Sequence, residues 1–370
     1  MVSRRGRQAG RVLWPFALVL GVLAACALIA SLELMAQRVL VDQGVATDPW
    51  GWSAAQDLPP AQPWDQETQT LTYLDPLLGF ALDPVALRER TRSEGTEIID
   101  GFVVHPAPPG DEATLLIVAL GGSTTAPDSA TWVTQLSELL TRKGYRARVF
   151  NGGVPGYSSS QDLLKLIRDV VLLEPDIVIA LEGVNDLRFL HGIREQPLVH
   201  PYAVTTLNYV SEARISGPFP NLRRLAQRWL RGDRWQVEGI SLGPPVDLAP
   251  AESWMKNART ARAVTDEFGI HYLVGMQPIM GVGGLDPDER ERELLAQLYA
   301  NPRYLGELRS FYDEAGQLSE GSDAVVDLTE IFSGESGVYK DARHQTPEGG
   351  RILAESIYAE IERRGWLAQD

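Results

Sequence analysis

Ser123, Asp341 and His344 are the side chains of this sequence best suited to nucleophilic catalysis. Ser123 follows two glycines, and Asp341 and His344 lie three residues apart near the C-terminus. A serine hydroxyl is a weak nucleophile and needs a base to take its proton. An imidazole can be that base when a carboxylate fixes its tautomer and stabilises its charged form. The Asp-x-x-His spacing lets both of these side chains come from one loop.

The elements around these residues predict that they meet at one edge of a parallel sheet. An apolar run at 115–120 precedes the two glycines before Ser123, and further strand patterns cover 146–150, 177–181 and 270–276. Helical patterns lie between the strands, and such alternation is typical of an α/β fold with helices on both faces of the sheet. Ligands of open parallel sheets gather at the carboxyl ends of the strands.

Four segments fall at such strand ends or in nearby loops, in a fixed order. They are 121–125 (GGSTT), 151–156 (NGGVPG), 183–186 (GVND) and 341–344 (DARH). This ordered set resembles the characteristic blocks of the SGNH (GDSL) hydrolases, over roughly residues 110–365. The first block of that family usually reads Gly-Asp-Ser, and here Gly122 stands in place of the Asp. The resemblance implies an α/β fold, with a three-layer αβα, flavodoxin-like parallel sheet, and an enzyme that hydrolyses esters.

The resemblance also implies a role for each site residue. Ser123 would be the nucleophile, His344 the base and Asp341 the residue that orients the base. The oxyanion hole would consist of the backbone N–H groups of Ser123 and Gly156 and the side-chain amide of Asn185. Taken alone, Ser123 would be better interpreted as a helix-cap or loop serine, and Asn185 could equally be an Asx-turn residue. The four blocks together favour the catalytic roles.

The N-terminus predicts a membrane anchor. Residues 12–32 carry no charge, and a helix of this length spans about 30 Å, as a bilayer core requires. We expect a cytoplasmic basic tail at 1–11, a transmembrane helix at 12–36 and a catalytic part outside the cytoplasm. Two alternatives are a lipoprotein signal with Cys26 as the lipidated residue and a twin-arginine signal at 4–5. All three interpretations export the catalytic part.

The rest of the chain divides into three predicted regions. Residues 37–109 are expected to form a stalk and N-terminal extension, since 57–64 is rich in proline and polar residues. Residues 110–370 are expected to form the hydrolase domain. Within that domain, 190–250 is irregular and rich in Pro, Gly and aromatic residues, which indicates an insertion near the mouth of the active site.

Charge and composition exclude several classes of partner. The formal net charge is −15, which disfavours binding to nucleic acid. The single cysteine and the lack of a His-x-x-x-His or EF-hand pattern argue against a metal site. The glycine-rich loop after the second strand has Asn151 and Pro155 where a dinucleotide loop needs glycine and a free N–H. No cofactor is therefore expected.

The expected activity is hydrolysis of O-acyl esters, O-acetyl esters among them, on cell-envelope or secreted glycans. The substrate class follows from family analogy and the predicted compartment only. Acyl transfer to a glycan would use the same triad, and a lysophospholipase activity would suit an enzyme anchored near lipid. A glycan-binding module without catalysis is the remaining alternative, and the intact set of catalytic residue types argues against it.

Overall fold

The computed structural model describes most of the chain between residues 72 and 367. The described residues are 72–75, 77–91, 97–105, 115–127, 130–189, 225–226 and 249–367, together with 24, 27–29, 31–32, 35 and 38–39. The chain divides into two compact units, one of Leu58–Ala203 with Leu242–Asp370 and one of Met1–Asp57 with Val204–Ser241. The described residues at 24–39 of the smaller unit are helical, with Ser31 Oγ donating to the Ala27 carbonyl at 2.8 Å.

Nine strands are described in the larger unit. They are β1 (Thr72–Asp75), β2 (Gly79–Leu82), β3 (Glu97–Ile99), β4 (Phe102–His105), β5 (Leu115–Gly121), β6 (Ala147–Asn151), β7 (Ile177–Glu182), β8 (His271–Met276) and β9 (Val325–Asp327). Among these described strands, β1 and β2 pair only with each other, as an antiparallel hairpin, and the other seven form one sheet.

The seven-stranded sheet is mostly parallel, so the predicted α/β class is confirmed. Its strand order is β3-β4-β6-β5-β7-β8-β9. The last five strands in this order run parallel, whereas β3 and β4 are antiparallel additions beside β6. The parallel strands follow the 2-1-3-4-5 order of flavodoxin-like sheets, in which ligands bind where the strand order reverses. That position is the carboxyl end of β5, two residues before Ser123.

Helices cover both faces of the sheet. They are α1 (Pro84–Thr91), α2 (Trp132–Arg142), α3 (Ser159–Lys165), α4 (Val184–Phe189), α5 (Pro250–Glu267), α6 (Glu289–Tyr299), α7 (Pro302–Ser319) and α8 (Pro347–Arg363). Successive side chains of a strand point to opposite faces. Ile117 and Ala119 of β5 accordingly belong to one core with α2 and α8, and Val118 and Leu120 to another with α3, α5 and α7.

The sequence predicts two helix starts that the structure describes. One is Thr346, followed by Pro347, as the cap of a last helix at about 347–364, and the other is Ser159 or Ser160 as the cap of the helix after the second strand. Thr346 caps α8 as predicted, because its Oγ accepts the Gly349 N–H at 3.2 Å and Pro347 takes the first position. The predicted cap of α3 at Ser159 or Ser160 is wrong by one residue. The N-cap position is held by Ser158, whose backbone is extended and whose N–H donates to Oε1 of Gln161 at 3.3 Å.

Three predicted regions lie wholly or mostly outside the described residues. The tail at 1–11 and nearly all of the insertion at 190–250 lie outside them, as does most of the span at 12–36. Among the helices of the described part of the chain, none is long and apolar enough to cross a membrane. β1 to β4 fall within the predicted extension at 37–109, and β3 and β4 enlarge the sheet from before residue 110.

Candidate active site

A tight turn after β5 presents Ser123. Gly121 has a φ of 144°, and a Cβ there would lie 2.6 Å from the carbonyl oxygen of Leu181 on the neighbouring strand. Only glycine fits this position, because both the backbone angle and the space exclude a side chain. The N–H of Thr125 closes the turn by donating to the Gly122 carbonyl at 3.0 Å. Ser123 is left partly exposed at the strand end.

His344 reaches Ser123 from the loop that precedes α8. Its Nε2 lies 2.7 Å from Ser123 Oγ, and its Nδ1 lies 2.8 Å from Oδ2 and 3.0 Å from Oδ1 of Asp341. The backbone N–H groups of Arg343 and His344 also donate to Asp341 Oδ1, at 2.8 and 2.9 Å. With the Nδ1 proton held by the carboxylate, Nε2 is free to accept the proton of the Ser123 hydroxyl.

The loop that carries Asp341 and His344 is fastened to the segment after β8. The Met280 N–H donates to the Ala342 carbonyl at 3.3 Å, and the Gln345 side-chain amide donates to the Pro278 carbonyl at 3.2 Å. These bonds hold the loop from the sheet side, so the approach of His344 to Ser123 does not depend on the loop alone.

The loop between β6 and α3 lies beside the turn that presents Ser123. The Val154 N–H donates to the Gly121 carbonyl at 2.9 Å, and Asn151 Nδ2 donates to the Thr125 carbonyl at 2.8 Å. Gly156 lies in this loop with a φ of 82°, in the left-handed region that favours glycine. The structure therefore brings the loop of Gly156 to the same strand edge as Ser123.

Asn185 is buried against the nucleophile turn at the start of α4. Its Nδ2 donates to the Tyr157 carbonyl at 2.8 Å, which uses one of the two hydrogens of the amide. A Cβ built on Gly122 would lie 2.4 Å from the same Nδ2. In this structure the amide of Asn185 thus occupies the space that a side chain at position 122 would take, and Gly122 leaves that space open.

The carboxyl group of Asp341 is ionised throughout the neutral range. Burial opposes its ionisation, but hydrogen bonds from the His344 side chain and from the backbone N–H groups outweigh burial and lower its pKa to about 2. A carboxylate that stays charged keeps its partner imidazole in the orientation that points Nε2 at Ser123.

Three carboxyl groups that sequence reasoning missed are buried behind the Gly156 loop. They belong to Asp162, Glu182 and Asp186, whose exposed fractions are 2%, 6% and 4%. Burial raises the pKa of all three, to about 6 for Asp186, and neighbouring carboxyl groups raise the pKa of Asp162 and Glu182 further. A glutamate at the end of an otherwise apolar strand, as in β7, was the available sequence signal.

Metal ligation finds no support in the described residues. Across the ranges that the structure describes, no group of three or more His, Cys, Asp or Glu side chains is arranged to hold a metal ion.

Several solved structures are similar to the chain at low identity. An acetyl xylan esterase is 15% identical, covers 67% of this chain and 100% of its own, and has a TM-score of 0.39. A catalytic mutant of an acetylxylan esterase from Geobacillus stearothermophilus is 15% identical, with coverages of 70% and 99% and a TM-score of 0.39. A GDSL-like lipase from Bacteroides thetaiotaomicron is 15% identical, with coverages of 67% and 88% and a TM-score of 0.37.

The part of the chain that carries the first three blocks matches a known family. No curated protein matches the sequence. Residues 119–274 match the GDSL-like lipase/acylhydrolase family, and this segment includes Ser123, Gly156 and Asn185. The match ends within β8, before Asp341 and His344. This match to a family of lipases and acylhydrolases supports a hydrolase that acts on ester bonds.

Proposed function

We propose that the protein is a serine esterase whose catalytic triad is Ser123, His344 and Asp341. The observation that carries this proposal is the 2.7 Å contact between Ser123 Oγ and His344 Nε2, which joins residues 221 positions apart in the sequence. The 2.8 Å contact between His344 Nδ1 and Asp341 Oδ2 supports the third role. A contact over such a sequence distance requires the whole sheet to be in place.

In the proposed first step, Ser123 Oγ attacks the ester carbonyl carbon while His344 Nε2 takes the hydroxyl proton. The carbonyl oxygen becomes an oxyanion, which the N–H groups of Ser123 and Gly156 and the second Nδ2 hydrogen of Asn185 would stabilise. The protonated imidazole then gives its proton to the departing alcohol, which leaves an acyl group on Ser123. Water, deprotonated by His344, attacks this acyl-enzyme, and the acid is released as the Ser123 hydroxyl regains its proton.

The nucleophile is tested by turnover of a short-chain aryl ester. We expect Ser123→Ala to lose nearly all activity at unchanged thermal stability, since the side chain is partly exposed. Ser356→Ala is the matched control, because that hydroxyl bonds only its own helix, donating to the Ile352 carbonyl at 2.8 Å. Undiminished turnover in Ser123→Ala would remove the proposed mechanism.

The proposed substrates are O-acyl esters, with O-acetyl groups first among them, on cell-envelope or secreted glycans. The net charge of −15 supports a neutral or weakly charged substrate over a strongly anionic one. Release of acetate from an O-acetylated polysaccharide, compared with release of fatty acid from a lysophospholipid, tests this choice. Faster release from the lysophospholipid would contradict it. Product analysis with added glycan acceptor separates hydrolysis from acyl transfer.

The proposed location is the outer face of a membrane, with an uncleaved helix at 12–36 as the anchor. The uncharged run at 12–32 supports it, and so do the arginines that precede this run. Cells that produce the full chain should retain it in the membrane fraction after alkaline extraction, and Cys26→Ser should not change this. Loss of membrane retention in Cys26→Ser would instead favour the lipoprotein alternative.

A further inference from the structure

Tyr157 connects the predicted oxyanion hole to the N-terminal hairpin of β1 and β2. Its carbonyl accepts the 2.8 Å hydrogen bond from Asn185 Nδ2 and lies 3.2 Å from the Cβ position of Gly122. Its side chain is buried, and its hydroxyl donates to the Phe80 carbonyl of β2 at 2.5 Å. One residue thus touches the amide that would hold the oxyanion and, 77 positions away, a backbone carbonyl of the hairpin.

A second contact to the hairpin comes from the next turn of chain. The fully buried Gln161 donates from Nε2 to the Leu78 carbonyl at 2.8 Å, while its Oε1 accepts the Ser158 N–H at 3.3 Å. The rings of Phe80 and Tyr157 also meet edge to face, with centroids 5.3 Å apart. The hairpin therefore holds the beginning of α3 and the residue directly after Gly156.

The hairpin is itself firmly held at its turn. The Asp75 carboxylate accepts the N–H groups of Leu77 and Leu78 at 2.9 and 2.8 Å, and Arg168 donates to it at 2.7 Å. Burial alone would raise the pKa of Asp75, but these hydrogen bonds lower it, so the carboxylate remains charged in its pairing with Arg168. A hairpin fixed in this way can act as a rigid support for the Gly156 loop.

We propose that the β1–β2 hairpin is a positioning element for the oxyanion hole, and that Tyr157 is the positioning residue through which it acts. The proposal rests on the proposed function, because it assigns a purpose to the placement of Asn185. The hairpin lies outside residues 119–274 that match the family. The N-terminal extension then contributes to catalysis as well as to the fold.

Tyr157→Phe tests the proposal, because it removes the hydroxyl bond to Phe80 and keeps the ring contact. We expect kcat for an aryl ester to fall about tenfold, the effect of one misplaced hydrogen-bond donor, with KM changed by less than about twofold. In an Asn185→Ala background the same substitution should cost less than about twofold, because the amide that Tyr157 positions is gone. Gln161→Met, which removes the second contact, should show the same split between kcat and KM.

Tyr358→Phe is the matched control. It also removes a tyrosine hydroxyl bond, to Glu362 Oε1 at 2.7 Å on the outer helix α8, and it should leave kcat unchanged. A Tyr157→Phe enzyme that loses thermal stability but keeps its kcat would overturn the proposal, and so would an equal loss with and without Asn185. Turnover that persists in Ser123→Ala would instead contradict the proposed function, so the two failures are distinguishable.

Discussion

Gly122→Ala should disable the enzyme although it adds only one methyl group. The new Cβ would lie 2.4 Å from Asn185 Nδ2, well inside the distance that a carbon and a nitrogen can approach. Asn185 is buried, so its amide can yield only by leaving the 2.8 Å bond to the Tyr157 carbonyl. The substitution therefore displaces the proposed oxyanion donor, while Ser123 and His344 themselves are not substituted.

The magnitude follows from the loss of one oxyanion donor, which typically lowers kcat by about 10²–10³. We expect kcat to fall by about this factor in both Gly122→Ala and Asn185→Ala. KM should change little, since the donor acts on the transition state. The double variant should lose no more than Asn185→Ala alone, because the displaced group is absent from it. Steady-state kinetics of the three variants on one aryl ester measure the effect.

Gly316→Ala is the control for replacing a glycine. Gly316 lies within α7, and a Cβ there would meet nothing within 4 Å. This substitution should keep kcat and raise the free energy of unfolding by up to about 1 kcal/mol. A Gly122→Ala enzyme within about threefold of the wild-type kcat would refute this prediction. A double variant of Gly122→Ala and Asn185→Ala whose losses in kcat multiply would refute the prediction as well.

Two further predictions concern carboxyl groups. Asp341→Asn should lower kcat by about 10³–10⁴ while ester binding is kept, because the amide favours the wrong imidazole tautomer. Steady-state kinetics measure this loss, and a fall in kcat of less than about tenfold would contradict the prediction. Asp162 has a raised pKa, chiefly through burial, so the folded chain keeps a proton that the unfolded chain releases above about pH 4. Its contribution to stability therefore declines as the pH rises from there. Asp162→Asn should remove this decline and raise the free energy of unfolding at pH 7 by about 1–3 kcal/mol. Urea denaturation of both proteins between pH 4 and 8 measures this change in the free energy of unfolding. A difference between Asp162→Asn and wild type that is the same at every pH would contradict the prediction.

The strand ends that carry the site could be predicted because they depend on local signals. An apolar run followed by glycine predicts a buried strand and a turn, and this pattern fits both β5 before Ser123 and β7 before Asn185. The helix α8 has a cap and a proline at its start, Thr346 and Pro347, which together are a strong sequence signal. α7 has the same signal in Asn301 and Pro302, where the Asn301 side chain accepts the Tyr304 N–H at 3.1 Å, yet sequence reasoning missed it.

The N-terminal strands could not be predicted, for physical reasons. β1 to β4 contain only three or four residues each, too few for a hydrophobic period to emerge from a sequence. Their placement depends on contacts between distant residues, such as the bond from Tyr157 to the Phe80 carbonyl. Every residue has a backbone carbonyl, so the residue type at position 80 does not indicate this hydrogen bond.

The most direct test of the central claim is to label the protein with a fluorophosphonate and identify the modified residue by peptide mapping. The 2.7 Å contact between His344 Nε2 and Ser123 Oγ predicts a single adduct on Ser123. It also predicts that His344→Ala slows labelling by at least about 100-fold, since the base that activates the hydroxyl is gone. An adduct on another residue, or labelling of His344→Ala at the wild-type rate, would contradict the account.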